Sequence, residues 1–143
     1  MLEKKNDFWI ESMDADAIVV TTNNVITTKG LVMGAGIALQ FKEKYPDLPI
    51  IFGQTIKNEE YNIAITNKNG KYIIAVQTKF HFKDASPMEL VVNSCRKLYS
   101  LCDTLNLQKI VMVKPGCGNG NLLWPDVKNN ISFLDDRFVV VSP

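Results

Sequence analysis

Hydrophobic and polar positions along the chain form blocks that predict strands and helices in turn. Ala17–Thr22 is an uninterrupted run rich in β-branched residues, which is typical of a strand buried on both faces. Lys109–Val113 has the same character. Shorter apolar runs predict further strands at Phe8–Ile10, Ile50–Ile56 and Phe138–Val141.

One hairpin is predicted in the middle of the chain. Tyr61–Thr66 and Tyr72–Thr78 are strand-like segments that flank Asn69-Gly70. That dipeptide favours a tight turn with positive φ, so the two segments should pair as antiparallel strands. The segment Asn23–Val32 is polar and irregular, and we predict a loop there.

Three helices complete the pattern. The first opens at Gly34-Ala35-Gly36 and ends near Lys44, because Pro46 disfavours helical geometry in the preceding residue. The second follows Ser86-Pro87-Met88-Glu89, which has the form of a capping box with proline at the first helical position. Its apolar residues recur at spacings of three and four, at Met88, Val91, Cys95, Leu98, Cys102 and Leu105.

The third helix is predicted over Pro125–Leu134. Because strands alternate with helices around a single hairpin, the chain should fold as one α/β domain over residues 1–143, with a mixed central sheet between layers of helices. Cys95 and Cys102 lie on the apolar face of the second helix, so we interpret them as core residues.

Composition restricts the functional classes. The net charge of +1 gives no field that would draw the protein to nucleic acid or to a membrane, and no apolar run approaches the roughly 20 residues that span a bilayer. The first residues do not resemble a signal peptide, and the three cysteines form no C-x-x-C pair. We therefore expect a monomeric, cytoplasmic protein without a disulfide framework, metal site or cofactor.

Two glycine-containing segments each follow a strand and precede a helix. They are Gly34-Ala35-Gly36-Ile37 and Gly116–Asn121. Glycine lets the backbone approach a ligand, and the free N–H groups at a helix start suit phosphate, so the pair suggests a diphosphate held between two loops. The alternative is that these glycines only form turns. A Rossmann fingerprint is absent because Leu39 stands where its third glycine would fall, and no glycine precedes Lys-Ser or Lys-Thr as a P-loop requires.

At these residues the sequence resembles the macrodomain family. Asp16–Asn23 is similar to its motif D-A-I-V-N-x-x-N, and Met33–Lys42 to the M-G-x-G-I-A-x-x-F-K stretch of one branch. Gly116–Trp124 resembles the G-C-G-N-G-x-L-x-W loop of that branch, which contains terminal ADP-ribose glycohydrolases and antitoxins that reverse DNA ADP-ribosylation. The resemblance implies a three-layer α/β/α macrodomain with a mixed central sheet, whose partner is ADP-ribose or an ADP-ribosylated macromolecule.

The resemblance also implies roles for individual residues. Asn23 would contact the distal ribose. One side of the diphosphate would meet Gly34, Ala35, Gly36 and Ile37, and the other Gly116, Cys117, Gly118, Asn119, Gly120, Asn121 and Leu122. Lys79 falls where the branch carries a lysine thought to attack the anomeric carbon of the distal ribose. The alternative interpretation of Lys79 is a surface lysine at a strand end.

Two positions depart from the family pattern. Many macrodomains carry a G-D-[IL] motif whose aspartate binds the adenine amino group, and here Trp9 and Ile10 stand in that place as candidate ligand-binding residues. Trp9 would stack on the base, or else it is a core residue, and a register slip would bring Asp7 or Glu11 there. The acid that assists the lysine in terminal glycohydrolases would fall at Gly120.

Three functions remain open on these residues. The first is a hydrolase of ADP-ribosyl linkages on protein or nucleic acid, with Lys79 and Asn23 as catalytic residues. The second is a non-catalytic binder of ADP-ribose or a related signalling nucleotide, which the glycine at position 120 favours. The third is an ADP-ribose-1″-phosphate phosphatase. Only the first requires an amine at position 79. His81 follows two residues later and is a candidate for tuning Lys79, or an exposed loop histidine.

Overall fold

A six-stranded mixed sheet forms the centre of the molecule in the computed structural model, which describes residues 1–56 and 61–143. The strand order is β1-β8-β7-β2-β6-β5. Its strands are β1 (Leu2–Lys5), β2 (Ala17–Thr22), β5 (Ile63–Lys68), β6 (Lys71–Gln77), β7 (Ile110–Val113) and β8 (Phe138–Ser142). The short strands β3 (Ile26–Thr27) and β4 (Gly30–Leu31) form a separate antiparallel ribbon.

The helices flank this sheet. They are α1 (Phe8–Glu11), α2 (Gly36–Lys44), α3 (Leu48–Ile56), α4 (Met88–Thr104) and α5 (Trp124–Asn130), with a 3₁₀ turn at Ser12–Asp14. Within the described ranges no helix is both long and apolar enough to cross a membrane.

The pairing register brings the ends of several parallel strands to one edge. β2 pairs with β6 in parallel, from Ala17 opposite Tyr72 to Thr22 opposite Gln77. β7 pairs in parallel with both β2 and β8. In the central sheet β5 runs antiparallel to β6, through the hairpin turn at Asn69 and Gly70, where φ is 54° and 85°. The predicted hairpin is confirmed, and the carboxyl ends of β2, β6, β7 and β8 share an edge.

The core has two halves, one on each face of the sheet. In β2 the side chains of Ile18 and Val20 belong to the same buried cluster as Phe41 of α2 and Phe52 of α3. Ala17 and Val19 belong to the opposite cluster, together with Cys95 and Leu98 of α4. A strand buried on both faces needs this helical cover. The predicted three-layer α/β/α architecture is confirmed, and so is the core position of Cys95 and Cys102.

The strand predicted at Phe8–Ile10 is wrong, because these residues form α1. Asp7 caps this helix, and its Oδ1 accepts hydrogen bonds from the backbone N–H groups of Trp9 at 2.9 Å and Ile10 at 3.0 Å. A carboxylate at the N-cap satisfies donors that a short helix leaves free. The edge strand lies earlier, at Leu2–Lys5, where every side chain is exposed and no apolar pattern marks it.

The strand predicted at Ile50–Ile56 is also wrong. The segment is helical from Leu48, and its deeply buried side chains Leu48, Phe52 and Ile56 recur every four residues. An apolar run alone does not distinguish a strand from a buried helix. Pro49 in the first turn marks the helix start, where a missing N–H costs nothing.

The predicted helix α4 is confirmed, but its capping box is not. The Ser86 hydroxyl accepts no hydrogen bond from the first turn of α4, and within the described residues it has no hydrogen-bond partner at all. Smaller differences concern boundaries. The helix predicted over Pro125–Leu134 ends at Asn130, and the loop predicted over Asn23–Val32 contains the ribbon β3–β4.

Candidate active site

A cleft of about 840 Å³ lies at the carboxyl edge of the sheet. The strands β2, β6, β7 and β8 reach it with Thr22, Thr78, Val113 and Val141 at or close to their ends. In open α/β sheets ligands bind at this edge, and the volume is within the range of small-molecule sites, about 300–1,000 Å³. Both glycine loops line the cleft.

The first loop presents the start of α2 to the cleft. Ala35 is the N-cap in extended geometry, and Gly36 follows with φ of +56°, a conformation that favours glycine. A side chain placed on Gly34 would meet nothing within 4 Å, so the backbone here borders open space. The first N–H groups of a helix have no intrahelical partner, and they suit an anion that enters this space.

The second loop is closed on itself by the Leu122 N–H, which donates to the Gly116 carbonyl at 2.9 Å. Gly116 has φ of +75°. A Cβ on Gly120 would lie 2.2 Å from the Ser86 Oγ and 2.4 Å from the Gly116 oxygen, whereas a Cβ on Gly118 would meet nothing within 4 Å. The loop is therefore packed tightly at Gly120 and open toward the cleft at Gly118.

The two loops approach each other across the cleft. A Cβ on Gly36 would lie 3.3 Å from the Asn119 side-chain amide nitrogen. Both loops thus line one cleft, with the Asn119 side chain close to the first loop, which is the arrangement that the sequence predicts for a diphosphate.

Lys79 links the end of β6 to the second loop. Its Nζ donates to the Asn119 carbonyl oxygen at 2.9 Å and to the Phe82 carbonyl oxygen at 3.3 Å. The side chain is half-buried and lines the cleft. In the described part of the chain no carboxylate lies within ion-pair distance of it. The amine is consequently held by neutral carbonyl groups at the cleft wall.

Asn23 is buried at the end of β2 and lines the same cleft. Its Nδ2 donates to the Val32 carbonyl at 2.9 Å, and its Oδ1 accepts from the Val25 N–H at 2.8 Å. The side chain therefore braces the loop that carries the β3–β4 ribbon. An amide has two donors and two acceptor lone pairs, so a donor and an acceptor site remain for a ligand.

Four of the residues named from the sequence do not line the cleft. The Trp9 indole packs against Phe41 with 4.8 Å between ring centroids, and its Nε1 donates to Gln40 at 2.9 Å. Ile10 is outside the lining and is 60% exposed. Asn121 and Leu122 are also outside the lining. Asn121 is exposed, and Leu122 packs against the core cluster that contains the buried face of α4.

Asp7 reaches the cleft instead of Trp9. Asn6, Asp7 and Phe8 all belong to the lining, and only one Asp7 oxygen is used in capping α1. The other candidate acid, Glu11, is buried in ion pairs with Lys109 at 2.9 Å and Lys4 at 3.4 Å. The sequence signal for Asp7 is its N-cap position before an apolar turn.

The structure adds cleft residues that the sequence motifs do not indicate, namely Gln40, Phe82, Ser86, Lys114, Ser142 and Pro143. His81 is outside the lining. Its ring stacks on Phe82 at 4.2 Å, and its Nδ1 accepts from the Lys83 N–H at 3.1 Å.

Comparisons with known proteins agree with this geometry. The chain is 32% identical over 123 residues to a DNA ADP-ribosyl glycohydrolase of Thermus aquaticus, covering 81% of this chain and 34% of that protein. It is 30% identical over 95 residues to the ADP-ribose glycohydrolase OARD1 of Homo sapiens, covering 66% of this chain and 61% of that protein. This chain thus spans about a third of the length of the first relative.

Solved structures match over nearly the whole chain. The macrodomain of Thermus aquaticus DarG superposes with a TM-score of 0.83 at 27% identity, covering 99% of this chain and 97% of that one. The macrodomain of Mycobacterium tuberculosis DarG gives 0.80 at 28% identity, with the same coverage of both chains. No model of a known protein family matches the sequence. The sheet order, the two glycine loops at its carboxyl edge and these similarities agree: the chain belongs to the macrodomain family.

Proposed function

We propose that this macrodomain binds ADP-ribose in the cleft and hydrolyses the bond that joins ADP-ribose to a protein or a nucleic acid. The observation that carries the proposal is the position of Lys79, whose amine is bonded to the second glycine loop at the cleft wall. The names of the Thermus aquaticus and Homo sapiens relatives support the same class of reaction. The proposal takes residues 1–143 as one domain that acts as a cytoplasmic monomer.

The diphosphate is assigned to the space between the two loops. The N-terminus of α2 provides unpaired N–H groups and the positive end of a helix dipole, which suit an anion. The open faces of Gly34 and Gly118 allow phosphate oxygens to approach the backbone closely.

The adenine is assigned to the part of the cleft formed by Asp7 and Phe8. The free oxygen of Asp7 suits an amino group, and Phe8 lines the same wall. Trp9 supports α1 through Phe41 and Gln40 rather than meeting the base. Adenine should therefore be recognised through a carboxylate.

The distal ribose is assigned to Asn23 and Lys79. The Lys79 Nζ forms a bond to C1″ as the bond from C1″ to the acceptor atom breaks, and the acceptor leaves with the proton that Nζ gives up. Opening of the sugar ring at its ring oxygen then gives an imine between Nζ and C1″. Water adds to C1″, and the amine leaves to release ADP-ribose. Asn23 orients the ribose hydroxyls through its free donor and acceptor sites.

Position 120 contributes no acid to this reaction. A side chain there would collide with the Ser86 hydroxyl and the Gly116 carbonyl, so the loop accepts only glycine in this conformation. Catalysis must then depend on Lys79 without an acidic partner from the second loop. The absence of that acid also favours the second candidate function, a binding module without turnover.

Substitution of Lys79 separates the two functions. Lys79→Ala should abolish release of ADP-ribose while changing the affinity for ADP-ribose by less than about threefold, because its bonds are to carbonyl groups and not to the N–H groups of the glycine loops. Lys79→Arg should be equally inactive, since a guanidinium keeps the charge but is not a nucleophile.

The measurement is single-turnover release of ADP-ribose from an ADP-ribosylated oligonucleotide and an ADP-ribosylated peptide, with calorimetry in parallel. The exposed lysine Lys97, on α4, provides the control Lys97→Ala. Full activity of Lys79→Ala would contradict the lysine mechanism. If the wild type binds ADP-ribose but releases none from either substrate, the binding module is the correct function.

A further inference from the structure

A buried hydroxyl without a hydrogen-bond partner lies beneath the second glycine loop. Ser86 is 4% exposed, and within the described residues its Oγ neither donates nor accepts a hydrogen bond. A Cβ on Gly120 would collide with this oxygen, so the hydroxyl lies directly against the loop. Proteins rarely leave a buried polar side chain unpaired, because its desolvation without a partner costs free energy. The hydroxyl therefore suits a partner that the loop does not supply in this conformation.

The loop above Ser86 is a four-residue turn whose central peptide can reverse its direction. The Asn121 N–H donates to the Gly118 carbonyl at 3.2 Å, so Asn119 and Gly120 are the central residues. Type I and type II turns differ by reversal of the central peptide, and type II needs positive φ at the third residue. Gly120 is that residue, and its φ is not positive, so the turn here is not type II. Because glycine adopts positive φ readily, the turn can change to type II at this peptide.

The peptide between Asn119 and Gly120 now holds Lys79. The Asn119 carbonyl accepts a hydrogen bond from the Lys79 Nζ at 2.9 Å, whereas the buried Gly120 N–H has no backbone acceptor in the described part of the chain. N–H groups attract an anion and a carbonyl oxygen repels one, so this peptide direction does not favour a diphosphate beside it. Reversal would turn the Gly120 N–H toward the cleft and would break one of the two hydrogen bonds that hold Lys79. The Asn119 carbonyl would then need a donor on the other side of the loop.

We propose that Ser86 is a positioning residue whose hydroxyl donates to the Asn119 carbonyl when this peptide reverses on binding of ADP-ribose. The reversal presents one more N–H to the diphosphate and frees Lys79 to reach C1″. This inference rests on the proposed function, because it takes the cleft as the ADP-ribose site and Lys79 as the nucleophile. The alternative is that the Ser86 hydroxyl serves stability alone.

Ser86→Ala separates these two roles. Loss of an unpaired buried hydroxyl should leave the Tm of the free protein unchanged or raise it. The Kd for ADP-ribose should rise by at least about fivefold, because the reversed carbonyl is then buried without a donor. The single-turnover rate at saturating substrate should fall in the same variant, because a larger fraction of the complexes keeps Lys79 bonded to Asn119. A hydroxyl that only stabilised the fold would give a lower Tm and an unchanged Kd.

Ser94→Ala is the matched control. Ser94 is a fully buried serine of α4, and its hydroxyl accepts a hydrogen bond from the Asn62 Nδ2 at 3.2 Å. Removal of a hydroxyl that has a partner should lower the Tm and leave the Kd for ADP-ribose within about twofold. The two buried serines should thus differ in both measurements.

Crystal structures of the wild type with and without ADP-ribose test the reversal itself. In the complex, the Asn119 carbonyl should accept from the Ser86 hydroxyl and no longer from the Lys79 Nζ. An Asn119 carbonyl that stays on Lys79 in the complex, or an unchanged affinity of Ser86→Ala, would overturn the inference. Wild-type protein that binds ADP-ribose but releases none from either substrate would overturn the hydrolase, whereas the structures and the Kd values still decide whether the peptide reverses.

Discussion

At the scale of single residues, packing beneath the second glycine loop decides which positions accept a side chain. A Cβ on Gly120 would meet backbone and a buried hydroxyl within 2.4 Å, whereas a Cβ on Gly118 would meet nothing within 4 Å. The Ser86 N–H also donates to the Gly120 carbonyl at 2.9 Å, which holds the two segments together. Glycine is thus required for packing at position 120, whereas at position 118 it borders the open cleft.

Gly120→Ala should lower the free energy of unfolding by about 1–3 kcal/mol, because the methyl group displaces Ser86 or the Gly116 carbonyl. Gly118→Ala is the matched control and should change it by less than about 0.5 kcal/mol. Denaturant titration of both variants measures the difference. Equal stability of the two would show that the loop has another conformation.

The sequence motifs predict the lining of the cleft at the glycine loops and strand ends better than near α1. Asn23, Lys79 and both glycine loops all line the cleft, whereas Asp7 lies there in place of Trp9. Counting along the chain offers Asp7 only as a register-slip alternative, because the residues that precede Asp16 include a helix, Phe8–Glu11, whose sequence favours a strand. The residues around Ser86 have the pattern of a helix cap, and only the fold shows its hydroxyl under the loop.

At the scale of elements, α1 is anchored to the sheet by ionic contacts as well as by Phe8. The Lys109 Nζ donates a hydrogen bond to Glu11 Oε2 at 2.9 Å, and the Asn6 Nδ2 donates one to Glu11 Oε1 at 3.2 Å. These hydrogen bonds, the one from Lys109 above all, lower the pKa of Glu11 from 4.5 to about 2. Because α1 also carries Asp7 toward the cleft, this anchor sets the position of one end of the site.

The Glu11 contribution to stability should depend on pH. The folded state binds a proton at Glu11 less readily than the unfolded state, so this contribution is complete above about pH 4.5 and is lost as the pH falls toward about 2. Between about pH 5 and about pH 2.5, the free energy of unfolding should fall less steeply in Glu11→Gln than in the wild type. Parallel curves would contradict the ionic anchor.

Helix α4 should contribute to stability mainly through its buried face. Leu98 is fully buried in the core half beneath this helix, so Leu98→Ala should cost about 2–5 kcal/mol of unfolding free energy. The neighbouring exposed position gives the control Lys97→Ala, expected within about 0.5 kcal/mol of the wild type. A cost for Leu98→Ala as small as that of the control would contradict the packing described for α4.

Elements with a strong local pattern can be predicted from the sequence, and those without one cannot. The hairpin at Asn69-Gly70 and the amphipathic α4 carry signals within their own residues. The edge strand β1 has exposed side chains throughout, and in α3 the unbroken apolar run Leu48–Phe52 hides the four-residue spacing of the buried face. Tertiary packing determines the secondary structure of such segments.

At the scale of the whole molecule, the parallel strands gather distant segments into one site. Asn23 follows β2, Lys79 follows β6 and the second glycine loop follows β7, and β2 lies between β6 and β7 in the sheet. The alternation of strands and helices along the sequence predicts a mixed sheet between layers of helices. The strand order follows only from the folded structure, because it depends on which strands pair across long connections.

Covalent capture of ADP-ribose on Lys79 tests the proposed activity most directly. Wild-type protein is mixed with an ADP-ribosylated oligonucleotide, reduced with borohydride during turnover, digested and mapped by mass spectrometry. The mechanism predicts a stable ADP-ribose adduct on Lys79 and none on Lys114, the other lysine that lines the described cleft. Turnover without an adduct, or an adduct on Lys114, would contradict it.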